Sequence, residues 1–229
     1  MNILELRILR LRSVQVISKQ KRMSNNIRSL LFDLGNVIID IDIDGAHERL
    51  NRFFRKDANR PVIEKAFIDY ECGRISTDIF INTLLSQCDR KVQALDIIEA
   101  WNSMLIGIPE QRLEMLRLLK KKYSVYLLSN TNALHLEWIH RYLRKEHNVE
   151  SFEKEFFDHA FYSHLVGDRK PNSSIFKFIA EDSFMTPALT LYMDDVQENL
   201  DVADKLGFNT HLVIPGDEVG EYLKKQSFF

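Results

Sequence analysis

Chemistry in this chain concentrates where apolar runs stop. Ile27-Arg-Ser-Leu-Leu-Phe-Asp33-Leu-Gly35-Asn36 is a short apolar run cut off by a carboxylate, with a small, flexible Gly-Asn pair behind it. A buried strand that delivers one acid to the open end of a sheet has this form, and parallel α/β sheets bind ligands just outside the carboxyl ends of their strands. An acid placed there acts as a nucleophile, as a metal ligand or as both. An ordinary strand followed by an Asp-x-Gly turn reads the same way locally.

The rest of the chain supplies partners in order. The run 123–128 ends in Ser129-Asn130-Thr131-Asn132, Arg169-Lys170-Pro171 puts a cation at an expected helix start, and 190–193 ends in Asp194-Asp195. Each has a bland alternative. Ser129 suits a helix cap, Asp194-Asp195 suits another, and Lys170 suits a solvated position before a proline at the first helical residue. An acid, a hydroxyl-amide pair, a lysine and a paired acid at successive strand ends or strand-to-helix junctions nevertheless make a site.

The elements that must position these groups follow from hydrophobic period. From Pro109 onward helices at 111–121, 134–144, 174–181 and 200–206 alternate with strands at 123–128, 160–162, 190–193 and 210–214. That alternation predicts an α/β fold, a Rossmann-like parallel sheet with helices on both faces. Segments 46–86 and 92–105 read as helical, with Ser76 or Thr77 capping a new helix after Cys72-Gly73-Arg74. A crossover between parallel strands needs about a dozen residues, so a helical stretch this long reads as an inserted bundle. The expected division is a core of residues 27–43 and 107–229, a helical cap of 44–106, and a loosely attached extension of 1–26.

Composition narrows the partners. The chain has 229 residues, 45% of them hydrophobic and 10% aromatic, and a net charge of −2. With no basic stripe and no aromatic-basic interleaving, nucleic acid is not an expected partner. Cys72 and Cys88 form neither a metal-type pair nor a disulfide framework, which fits a reducing cytoplasm. No apolar run approaches the roughly 18 residues that a membrane span requires, so no membrane partner is expected, and a monomer or weak dimer is. The first 22 residues carry six Lys/Arg against Glu5 alone, and their charges interrupt any signal-like apolar core. Met23 is the expected natural start.

The four junction motifs resemble those of the haloacid dehalogenase-like (HAD) superfamily of phosphohydrolases, from about Ile27 to the C-terminus. Phe-Asp33-Leu-Gly35-Asn36-Val-Ile-Ile-Asp-Ile-Asp, Leu-Ser129-Asn130-Thr-Asn, Arg-Lys170-Pro and Asp194-Asp195-x-x-x-Asn199 closely resemble its bacterial α-D-glucose-1-phosphate phosphatase branch. The resemblance implies a Mg²⁺-dependent phosphomonoesterase acting on a small sugar phosphate or similar phosphorylated metabolite. Asp33 would be the nucleophile that forms an aspartyl-phosphate. Asp33, the Gly35 carbonyl and Asp195 would hold Mg²⁺, with Asp194 beside them and Asn199 anchoring the loop. Ser129, the Asn130 amide and Asn36 would bind phosphate oxygens, and Lys170 would pair with both Asp33 and phosphate. The cap would shape the substrate pocket, with His47, Trp101 and Asn102 as candidates to face it, and His135 and Trp138 as weaker ones just after the second motif.

One position departs from the family pattern. Most phosphatases of the superfamily carry a second Asp two residues after the nucleophile as general acid-base, where this chain has Gly35. That role is worth about 10²–10⁴ in rate. Another group substitutes, the leaving group is undemanding, or turnover is slow; Asp40 and Asp42 are the nearest acids, and both also suit turn positions. Two other readings remain open from sequence: a C–halogen hydrolase of the same superfamily, which needs no metal pair, and a lapsed phosphate-binding or regulatory protein.

Overall fold

The structure, a computed structural model, describes residues 26–214 and 216–229. The expectations for the leader, including a start at Met23, lie outside the described residues. Leu30, Leu31 and Phe32 have no solvent exposure, because their strand β1 (Ser29–Phe32) lies at the centre of a five-stranded parallel sheet. β4 (Ser124–Ser129) and then β5 (His159–Tyr162) flank it on one side, β6 (Thr190–Asp194) and then β7 (Asn209–Leu212) on the other. A strand covered on both faces has no reason to alternate polar and apolar residues, which accounts for the unbroken apolar runs. Leu30, Phe32, Leu127 and Met193 pack into one core layer, and Leu31, Leu128 and Tyr192 into the opposite one.

Helices α5 (Glu110–Leu119), α6 (Ala133–His147), α9 (Ser173–Asp182) and α10 (Gln197–Lys205) cover the sheet, matching the predicted alternation with boundaries shifted by a few residues. Three short helices carried no period long enough to read: α7 (Phe152–Phe156), α8 (Ser163–Val166) and α11 (Val219–Lys225). Between β2 (Asp40–Ile41) and its antiparallel partner β3 (Leu105–Gly107), the chain forms four helices: α1 (Ile43–Asn51), α2 (Arg60–Glu71), α3 (Thr77–Gln87) and α4 (Ala94–Asn102). They share a separate apolar cluster built on Phe80, Leu84, Ile97 and Trp101. Ser76 caps α3 by accepting from the Ile79 amide. Among the described residues no helix is long and apolar enough to cross a membrane.

Candidate active site

The sheet order places the turning point of the topology between β1 and β6, where such sheets leave a crevice. Register brings the key groups there. Phe32 lies opposite both Leu127 and Met193, so Asp33, Ser129 and Asp194 finish their strands at the same edge. The Asp33 amide donates to the Met193 carbonyl at 2.9 Å, fixing the two acids side by side.

Lys170 enters from the loop before α9 and is only 2% exposed. Its Nζ donates to Asp33 Oδ1 at 2.6 Å and to Asp194 Oδ2 at 2.7 Å. The Asn130 carboxamide holds the Lys170 backbone from both sides, donating to its carbonyl and accepting from its amide, each at 2.9 Å. The side chain of Asn130 is therefore committed to positioning Lys170. Pro171 does not begin the helix as expected: α9 starts at Ser173 and the Lys170–Pro171 peptide is cis.

Asp194 has no solvent exposure and both oxygens are engaged. Oδ1 accepts from the Val196 amide and from Asn199, and Oδ2 accepts from Lys170, Tyr192 Oη and Asn199. Burial works against its charge, yet these donors hold its carboxyl below the ordinary carboxylate value. Asp33 shares the same ammonium with fewer donors. Burial, offset by Lys170 and reinforced by Asp194, pushes it up to about 7. One lysine thus serves two acids, and the one with more hydrogen-bond donors keeps its charge. Asp195 is also raised by burial, partly offset by the Asn36 carboxamide, which donates to its Oδ2 at 2.8 Å. Asn36 makes that contact from a left-handed backbone at φ 54°, a region Asn tolerates through local hydrogen bonding.

One oxygen each from Asp33, Asp194 and Asp195 lies within 4.8 Å of the others. An all-oxygen donor set suits Mg²⁺. Asp33 Oδ2 and Asp195 Oδ1 receive no hydrogen bond from another described residue, whereas Asp194 is saturated.

A cleft of about 360 Å³ opens over these groups. Asp33, Gly35, Ser129, Asn130, Lys170 and Asp195 line its floor. His47, Phe67, Glu71 and Trp101 of the helical segment form its upper wall, with Arg169 beside Lys170. Phe67 stacks on Trp101 at 4.9 Å between ring centres, and Trp101 stacks on His135 at 4.9 Å. His135 is buried, and its ring is driven down to about 4, so it is a neutral support for Trp101. Asn102 is buried and does not line the cleft, and Trp138 stacks on Tyr142 instead. Neither doublet forms a helix cap: Asn132 caps α6 by accepting from the His135 amide, and Val196 is the cap position of α10.

Asp40 and Asp42 are used elsewhere. Arg112 pairs with Asp40 at 2.8 Å and grips Glu218 with two bonds, while Asp42 caps α1 by accepting from the Gly45 amide. Ile41, not an acid, fills the space beside Gly35: a Cβ added there would lie 2.7 Å from Ile41 Cδ1. Tyr192, Phe67 and Glu71 were not evident from sequence. For Tyr192 a signal existed, since it lies two residues before Asp194 and a strand repeats its faces with period two. Glu71 sits in an unremarkable helix end and had none.

No family model matches the chain. It is 31% identical over 189 residues to a D-ribitol-5-phosphate phosphatase from Bacteroides thetaiotaomicron, covering 80% of this chain and 90% of that protein. A crystal structure of a HAD family enzyme from that organism, in complex with magnesium and inorganic phosphate, is similar at a TM-score of 0.73 and 30% identity, covering 86% of this chain and 98% of that one. A HAD-like family hydrolase from Porphyromonas gingivalis is similar at a TM-score of 0.77 and 28% identity, covering 87% and 97%.

Proposed function

The chain belongs to the HAD family of hydrolases, and from that premise we propose that it is a Mg²⁺-dependent phosphomonoesterase working through an aspartyl-phosphate on Asp33. Its substrate is a small sugar or polyol phosphate. The observation that carries the reading is the single buried ammonium of Lys170, bonded at once to Asp33 and Asp194 with Asp195 alongside. A structural ion pair needs one acid; two acids sharing a lysine, with a third carrying a free oxygen, suit a site built to receive a cation and an anion together.

Asp33 attacks phosphorus, the bond to the leaving oxygen breaks, and water then hydrolyses the acyl phosphate. Lys170 pulls Asp33 back toward its ionised form against burial and meets charge developing on phosphorus, and Asn130 sets its position. Ser129 at the end of β4 faces the same cleft and offers a hydroxyl to the phosphate. Asp33, Asp195 and the Gly35 carbonyl would hold Mg²⁺, which supplies the positive charge that lets a carboxylate approach a phosphate dianion. Asp194, saturated by protein donors, holds Lys170, and Asn36 orients Asp195. Residues 44–106 act as a cap that closes the cleft from water. With Gly35 in place of an acid, and Asp40 and Asp42 outside the cleft, the leaving group must carry part of its own charge.

The test is phosphate release from a panel of ribitol 5-phosphate, glucose 1-phosphate, hexose 6-phosphates and an aryl phosphate, with Mg²⁺ and with chelator, beside Asp33→Asn. Turnover should need Mg²⁺ and vanish in the variant. Chelator-resistant turnover, or an Asp33→Asn protein near the parental rate, overturns the mechanism.

A further inference from the structure

The upper cleft contains an ion pair for which the chemistry above has no use. Arg169 Nη2 lies 3.2 Å from Glu71 Oε2, joining the loop before α9 to the end of α2. Both residues line the cleft. The rest of the upper wall is largely apolar, formed by Ile41, Phe67, Trp101 and Met104. Arg169 spends one arm of its fork on Glu71, while its buried Nε–H has no hydrogen-bond partner among the described residues. Arg169 Nη1 makes no hydrogen bond to another described residue either, and with the side chain 31% exposed the fork keeps a reachable donor for something that enters. Burial raises the Glu71 carboxyl and Arg169 holds it back, in keeping with an acid half withdrawn from water.

We propose that the Glu71–Arg169 pair selects the leaving group of the phosphatase reaction, accepting neutral hydroxylated groups and rejecting anionic ones. The inference rests on the phosphatase reading above. A hydroxyl satisfies both partners at once, because it can accept from Arg169 Nη1–H and donate to Glu71. A carboxylate or a second phosphate can satisfy only Arg169. Glu71 already neutralises that charge and would repel the newcomer at close range, which builds rejection as well as attraction into the pair. The aromatic wall of Phe67 and Trp101 offers a surface to the carbon skeleton while the pair reads its hydroxyls. At about 360 Å³ the cleft lies at the small end of ligand sites, which suits a single sugar or polyol unit.

The experiment measures kcat and KM of the Mg²⁺-loaded enzyme, Glu71→Gln, Arg169→Gln and Arg169→Lys. The substrates are a polyol phosphate, an aryl phosphate without hydroxyls, and a phosphorylated hydroxy acid of similar size. Arg169→Lys keeps the charge and the pairing with Glu71 but removes the fork's second arm, Nη1, so it separates recognition from a merely structural bridge. The expected result is a fall of about 10- to 100-fold in the polyol-to-aryl ratio of kcat/KM in both Arg169 variants, carried by KM. In Glu71→Gln the acid-to-polyol ratio should rise about 10-fold or more. Equal losses on all substrates, or restoration by Arg169→Lys, would show that the pair only fastens the helical segment to the core and overturn the proposal. If the parent enzyme releases phosphate from nothing on the panel, the phosphatase reading fails first, and separately.

Discussion

Replacing Lys170 with Met is the perturbation whose size the structure sets most directly. Methionine keeps length and apolar volume and deletes the ammonium, leaving Asp33 and Asp194 buried without their shared cation. Breaking a buried pair in this way costs about 3–5 kcal/mol. The two acids do not contribute equally. Burial already lifts Asp33 to about 7, so near neutral pH it escapes the penalty by taking up a proton. Asp194 has no exposure and is held ionised by its donors, so most of the loss falls on it. For a domain of this size each kcal/mol moves Tm by about 2–4 °C, which gives a drop of about 6–20 °C in chelator. Adding Asp194→Asn should return at least half of that loss, because it removes the stranded charge and keeps the shape, while turnover stays at least about 10²-fold down. Scanning calorimetry on the parent, both single variants and the double variant closes the cycle. A Lys170→Met protein within 2 °C of the parent, or strictly additive effects of the two substitutions, would refute the shared-cation account.

Three further outcomes are expected. Mg²⁺ at 100 times its Kd should stabilise the protein by about 2.7 kcal/mol, a rise of about 5–11 °C in Tm; Asp195→Asn should abolish most of that shift at matched ionic strength, and an unchanged shift would place the metal elsewhere. Gly35→Asp alone must displace Ile41 Cδ1, 2.7 Å from the new Cβ, so the added acid should narrow the gap between aryl and primary alkyl phosphates only when combined with Ile41→Ala; steady-state rates across leaving groups decide it, and a gap that persists in the double variant shows that a missing proton donor was not limiting. Glu153, held down to about 2 chiefly by its bond to His140 and also by that from Tyr162, has a folded value below its ordinary one of 4.5. Its stability contribution is therefore complete above about pH 4.5 and fades as pH falls toward 2. As the pair is about one-third exposed, Glu153→Gln should cost at most about 1 kcal/mol, or 2–4 °C of Tm at pH 7, and the difference from the parent should shrink by pH 3. A constant difference across that range contradicts the assignment.

Sequence alone determined what depends on near neighbours. Strand runs such as 123–128 and 190–193 were legible because a strand buried on both faces is continuously apolar, and helices such as α6 and α9 because one face repeats every 3.6 residues. The polar residues that terminate those runs were legible for the same reason, as abrupt breaks in a local pattern. α11 was not, because it is short and carries Gly220 inside it, and the burial of Val219 and Leu223 in the main core, with Gly220 beside Met115 of α5, makes it worth forming. Tertiary structure decided how the polar groups are shared. Lys170 and Asp33 are 137 positions apart, and Asn36 and Asp195 are 159 apart. Nothing in their spacing says that one ammonium serves two acids, that Asn130 is spent on the Lys170 backbone, or that both oxygens of Asp194 accept from protein donors. Glu71 meets Arg169 only because the helical segment folds back over the sheet edge. Local pattern encodes which face of an element is buried; strand order and register decide which side chains meet at its end, and that meeting sets charge, protonation and the form of the cleft.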